Sequence, residues 1–232
     1  MNKRALSSVL NFISERAPAG VAQIGDLLTL DEFSRWRKDP RLIEPTIRTI
    51  EVVKRDFWRP LRALVPDIVY TLGNHEARPY DHLIDHAPAF LSMLNLPEIP
   101  YQEWLGFGPY VNSWCLYKQG ILRGNVMFSH GEYSGPGAAR QMMKGWGTNG
   151  MSGHSHRAGR YEHRSWARRL IWQEAGFLGD IDQFYNSPIS NWHTGFATAW
   201  IDPRAKDNPL IEFVPVDYKS GRFWFDGKEY RP

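Results

Sequence analysis

An α/β fold is predicted for this 232-residue chain by three observations. Apolar residues at helical spacing alternate with short apolar runs of strand length. Several of those runs end in loops that carry Asp, Asn or His, the junction where α/β folds usually place their chemistry. The composition is that of an ordinary globular protein, with 42% hydrophobic residues and 28 Lys plus Arg against 25 Asp plus Glu, a formal net charge of +3. At roughly 150 residues per domain as a prior, this length predicts a single domain over residues 1–232, with 77–120 as a cap insert.

The elements follow in order. Ala5, Val9, Leu10, Phe12 and Ile13 predict a helix from Lys3 to Arg16, stopped by Ala17-Pro18-Ala19-Gly20. Val21–Ile24 reads as a strand that runs into Gly25-Asp26. A second helix starts at about Pro45 and carries Ile47, Ile50, Val53 and Phe57 until Pro60 bends or ends it. Ile68–Leu72 is a strand ending in Gly73-Asn74-His75-Glu76. Residues 77–120 are rich in Pro and aromatic residues and read as helices and a hairpin laid over one side of the body, and Cys115 within them reads as a buried structural thiol. Ile121–Phe128 reads as one strand delivering Ser129-His130-Gly131-Glu132, followed by a short helix near Ala138–Lys144 and then Gly153-His154-Ser155-His156. Further strands are expected at Phe196–Ile201 and Ile211–Val216.

Asp26, Asn74, His130, His154 and His156 together form a mixed oxygen and nitrogen donor set without thiolates. Such a set suits manganese, iron or zinc; calcium would want oxygen alone, and structural zinc usually takes cysteine. In an extended segment His154 and His156, two apart, would point the same way.

The ordered motifs Gly25-Asp26, Gly73-Asn74-His75-Glu76, His130-Gly131 and Gly153-His154-Ser155-His156 resemble those of the calcineurin-like metallophosphoesterases, especially small bacterial and phage members. The resemblance spans residues from about 5 to 160. It implies a two-sheet β-sandwich flanked by helices and hydrolysis of a phosphomonoester or phosphodiester at two divalent ions. Asp26 would bridge the ions, Asn74, His130 and His154 would complete one site, His156 would serve the other, and His75 would assist the leaving group. Paired ions of this kind hold a phosphoryl group, acidify a bridging water and stabilise in-line displacement.

The sequence departs from that pattern in two places. The family usually opens with Asp-x-His on a first strand, whereas this sequence opens at Met1-Asn2-Lys3 on the first helix. That strand, and two ligands of the site served by His156, are therefore expected to be missing. Thr29 stands where the family commonly has another aspartate, with Asp31 close by as a substitute.

Other residues have competing readings. His82 and His86, four apart, read as surface or partly buried residues, as do His163 and His193. Glu76 and Glu132 are candidates to orient the histidines, and Arg157 to touch a phosphate. Arg157, Arg160, Arg164, Arg168 and Arg169, with Tyr161 and Trp166 among them, read as a solvated basic face with core-facing aromatics or as a nucleic-acid track. Trp192 and Phe196 read as core. A phosphoester substrate is expected, and nucleic acid is a possible one. The alternative to an enzyme is a catalytically impaired protein of the same fold that binds nucleic acid or a protein partner. No membrane span or signal peptide is expected, which points to the cytoplasm.

Overall fold

The computed structural model describes residues 1–34, 45–89, 104–166, 168–179, 191–202 and 209–232. Helix α1 (Lys3–Arg16) forms as its spacing predicts. The Asn2 side-chain oxygen accepts the Ala5 N–H at 3.0 Å, and Ala17 closes the helix in the left-handed region at φ 44°. Its apolar face seats Phe12 among Phe196, Phe223, Phe225 and Tyr230, with ring centroids 5.1–5.7 Å apart. Strand β1 (Val21–Gln23) follows.

Helix α2 (Thr46–Val53) starts after Pro45 and neither ends nor breaks at Pro60. The chain instead widens into a π turn over Lys54–Trp58 and resumes as α3 (Arg59–Leu64), with Pro60 in the first turn. A proline ring clashes with the carbonyl four residues back, and a widened turn just ahead of it relieves that clash. Strand β2 (Ile68–Thr71), fully buried, leads into helix α4 (Asn74–His86). Strand β3 (Ser113–Cys115) lies parallel to β2, which lies parallel to β1, giving a three-stranded sheet in the order β1-β2-β3. Strand β1 is an edge, with β2 its one neighbour among the described residues. Of the residues 77–120 read as a cap, 90–103 lie outside the described set.

The run read as one strand over 121–128 is a hairpin, β4 (Gly120–Arg123) and β5 (Val126–Ser129). Gly124, at φ 58°, takes a turn conformation that a side chain disfavours, so the chain reverses there. Helix α5 (Ala138–Trp146) and strands β6 (Asn149–Ser152), β7 (Arg160–Arg164) and β8 (Arg169–Glu174) complete a five-stranded sheet in the order β4-β5-β6-β8-β7. Within it β5, β6 and β8 are parallel, and the two edge strands are antiparallel to their neighbours. Two antiparallel pairs follow, β9 (Gly195–Trp200) with β10 (Leu210–Pro215) and β11 (Phe223–Phe225) with β12 (Lys228–Tyr230).

Apolar burial explains the layering. Helices α1, α2 and α3 pack on the small sheet around Trp58, Tyr70, Leu61 and Ile68. Ala22 and Ile24 meet Val126, Phe128, Met151 and Ile171 in a second cluster, which joins β1 to the large sheet. Helix α5 covers the opposite face of the large sheet with Ala139, Met142 and Met143 against Leu170 and Trp172. The result is an open α/β sandwich of two sheets flanked by helices. No helix among the described residues is long and apolar enough to cross a membrane. Cys115 is half-buried, and burial pushes its thiol up to about 11, as suits a structural residue.

Candidate metal centre

Four strand ends converge on one point. Gly25 and Asp26 follow β1, Asn74 opens α4 after β2, His130 follows β5, and His154 follows β6. The two sheets are tied across this seam. The His130 Nδ1 lies 2.7 Å from the Ile24 carbonyl across it, and within the large sheet the Gly153 N–H donates to the His130 carbonyl at 2.9 Å. The group facing that ring nitrogen is a carbonyl, which can only accept, so in the neutral ring Nδ1 carries the proton and Nε2 keeps its lone pair.

That lone pair faces other acceptors. His130 Nε2 lies 3.0 Å from Asn74 Oδ1, 3.2 Å from His154 Nδ1 and 3.3 Å from Asp26 Oδ2, and Asn74 Oδ1 lies 2.9 Å from His154 Nδ1. A divalent ion with ligands at about 2.0–2.2 Å would hold neighbouring donor atoms roughly 3.0–3.4 Å from one another. The donor set therefore fits a cation in chemistry and in spacing. Asp26, His130 and His154 form one group able to hold a metal ion among the described residues.

Electrostatics favour a charged Asp26. Burial opposes its ionisation, but His130 and His75 outweigh burial and hold the carboxyl well below its usual range. For His130 burial acts downward, and Asp26 with the Ile24 carbonyl turns the net shift upward. Burial pushes His154 down, and the neighbouring His130 adds to it.

Glycines make the close approach possible. A Cβ on Gly25 would overlap the His130 ring and Gly73, and one on Gly73 would overlap the Asp26 carboxylate. Asp26, His154 and His156 adopt φ of 55°, 60° and 57°, a region that non-glycine residues occupy only at a cost of about 1–3 kcal/mol. Such backbone strain persists where surrounding contacts over-determine it.

His156 departs from expectation for this reason. The 153–156 segment is not extended, so the two imidazoles do not share a direction. His154 reaches the donor group, while His156 stacks on Phe177 at 4.8 Å and meets Trp192 edge-on at 4.4 Å. Its Nδ1 is buried without a hydrogen-bond partner, and burial pushes its pKa down to about 4. His75 lies at the rim. Its backbone N–H donates to Asp26 Oδ1 at 3.0 Å, and its Nε2 stands 3.9 Å from Asp26 Oδ2. Burial lowers His75 to about 4, partly offset by Asp26, so the ring is neutral near pH 7.

Glu76 has a larger role than orienting a histidine, and it orients none through a hydrogen bond of its own. Wholly buried, it accepts the N–H groups of Asp26 at 2.9 Å, Leu28 at 2.9 Å and Gly73 at 2.8 Å. It thereby latches the Asp26 loop to the start of α4. Burial and Asp26 push its carboxyl up, while the amides of Leu28 and Gly73 pull it back. A glutamate three residues after Gly73 at a helix start is the capping signal that could have located this role. Tyr117, whose ring meets His130 at 5.8 Å, gave no local signal.

The remaining candidates lie elsewhere. Glu132 is exposed, and Arg157 donates to Asn191 Oδ1 at 2.9 Å. Asp31 pairs with Arg78 at 3.2 Å instead of joining Asp26. His82 and His86 stack on each other at 4.3 Å.

An ion at this centre stabilises only the folded chain. Manganese or zinc at a hundred times its dissociation constant is expected to add about 2.7 kcal/mol, roughly 5–11 °C in Tm for a chain of this size. His154→Gly, which relaxes the backbone while removing a donor, is expected to abolish the shift in a calorimetric scan. A shift that survives it would place the ion elsewhere.

Fold and site define an α/β protein with a candidate metal centre at the seam of two sheets. No model of a known protein family matches the chain. It is 30% identical to the gene 54 protein of Mycobacterium phage L5 over 249 aligned positions, covering 98% of this chain and 92% of that protein. The gene 54 protein of Mycobacterium phage D29 is 29% identical over 97% of this chain and 92% of its own length. The chain belongs to the family of these phage gene 54 proteins.

Proposed function

We propose that this chain is a single-domain, metal-dependent phosphoesterase of the calcineurin-like kind. The observation that carries the reading is the convergence of four acceptor atoms, from four strand ends, at 2.9–3.3 Å from their neighbours. Asp26, Asn74, His130 and His154 would hold a divalent ion such as manganese, iron or zinc. A second ion is proposed on the His156 side, supported by the imidazole nitrogen buried there without a partner. The ions would supply Lewis-acid chemistry toward a phosphoryl oxygen.

The chain's own residues do the rest. Gly25 and Gly73 leave the space in which Asp26 approaches His130. The Ile24 carbonyl fixes the His130 tautomer, keeping its Nε2 available as a donor to the ion. His75, at the rim and close to Asp26, is placed to pass a proton to a departing oxygen, and an arriving phosphate anion would raise its pKa toward the working range.

The test varies the leaving group. His75→Ala is expected to lower turnover of an alkyl phosphodiester by about 10²–10⁴-fold, and of a nitrophenyl diester far less, because nitrophenolate departs without a proton. Equal losses on both substrates would remove His75 from the acid role. Absence of turnover on either by the manganese-loaded wild type would remove the phosphoesterase assignment.

A further inference from the structure

The arginine-rich segment after the metal centre folds as a basic face with one of its two aromatics turned inward and the other, Trp166, left outside. Strands β7 and β8 form an antiparallel hairpin in register Arg160 with Gln173 through Arg164 with Arg169. At its tip Ser165 closes the turn onto Arg168, by a backbone bond of 2.9 Å and a side-chain bond of 3.2 Å. Trp166, between them, is 100% exposed. Tyr161 does turn inward, packing near Trp146 and Met142 with the Arg140 guanidinium 5.7 Å above its ring.

The charges divide by their partners. Arg160 and Arg169 both pair with Glu162, and Arg160 also donates to the Ile211 carbonyl. Arg164 and Arg168 pair with no acid among the described residues, and both are exposed. Beside the hairpin, α5 exposes Arg140 and Lys144. An indole held wholly in water forgoes all of its burial stabilisation, and here it stands between two guanidiniums that have no acid partner among the described residues.

We propose that this hairpin tip binds single-stranded nucleic acid, Trp166 stacking on a base while Arg164 and Arg168 hold the phosphates on either side. Cation, aromatic and cation in succession match phosphate, base and phosphate along one strand. A duplex offers no free base face to an indole. A lipid surface would call for more apolar area around the tryptophan than Ser165 and two arginines provide. Strand β7 begins at Arg160, four residues after His156, and its five residues span about 16 Å, so the tip stands at the end of the large sheet away from the centre and a strand held there would run along the sheet to reach it. The inference rests on the phosphoesterase reading for what happens to that strand at the centre, and names its substrate class.

The probe is a fluorescein-labelled oligothymidylate, followed by anisotropy with EDTA present so that binding is read without turnover. Trp166→Ala is expected to weaken binding on the order of tenfold and Trp166→Phe to retain most of it. Arg164→Ala with Arg168→Ala is expected to reduce the salt slope by about 1.4, because each phosphate neutralised on a single strand contributes about 0.7. Unchanged affinity in Trp166→Ala, no binding by the wild type, or equal affinity for duplex of the same length overturns the proposal. Turnover of a small aryl diester by the wild type reads the phosphoesterase assignment separately, since that substrate cannot reach the hairpin.

Discussion

Asp26→Asn is expected to lower manganese-dependent phosphodiester turnover on the order of a thousandfold and to strip the chain of its bound ion. Asp26 is the one anionic donor in the group, its Oδ2 lying 3.3 Å from His130 Nε2. Asparagine matches it in shape and keeps an oxygen to accept the His75 N–H, so the loop need not move. What disappears is the charge that offsets a cation in a largely buried site, where such a loss costs about 10²–10³ or more in rate. Elemental analysis of the variant beside its kinetics separates lost metal from lost chemistry. Turnover within tenfold of wild type would mean that the centre is assembled around other donors.

The largest loss of stability is expected from Glu76→Ala. That change orphans three buried N–H groups, those of Asp26, Leu28 and Gly73. Buried donors without partners cost about 1–3 kcal/mol each, and partial relaxation brings the total to roughly 3–5 kcal/mol, on the order of 10 °C in Tm. Glu76→Gln should lie between, since its amide oxygen can still accept but its NH2 must face one of the donors. Because the latch holds the Asp26 loop, metal affinity should fall by about 10–100-fold even where the variant remains folded. Calorimetry and metal titration check the two effects independently, and a Tm within 2 °C of wild type, a shift worth at most about 1 kcal/mol, would show that the latch is dispensable.

What could be read from the sequence depended on range. Helix α1 was legible because a 3.6-residue apolar stripe and its stop signal are local. The donors Asp26, Asn74, His130 and His154 were legible as types at strand ends, and the structure brings these four side chains together. The direction of the His156 ring was not legible, because φ of 57° at that residue breaks the extended backbone and turns the ring toward Phe177. The hairpin at Gly124 was hidden because apolar pairs flank Arg123-Gly124-Asn125 on both sides, although Gly-Asn is a known turn dipeptide. The latch of Glu76 and the exposure of Trp166 depend on what packs nearby, which no window along the chain contains.

The donors come from different layers of the sandwich. Asp26 and Asn74 extend from the small sheet, His130 and His154 from the large one. An ion held by all four is a cross-link between segments far apart in the chain, the kind of closure that removes most entropy from the unfolded state. Loading such a protein with metal is therefore also a step in its assembly. Chelation would loosen the seam first, and the His130 ring, whose Nδ1 lies 2.7 Å from the Ile24 carbonyl across that seam, would report the loosening in its imidazole NMR signals before either sheet came apart.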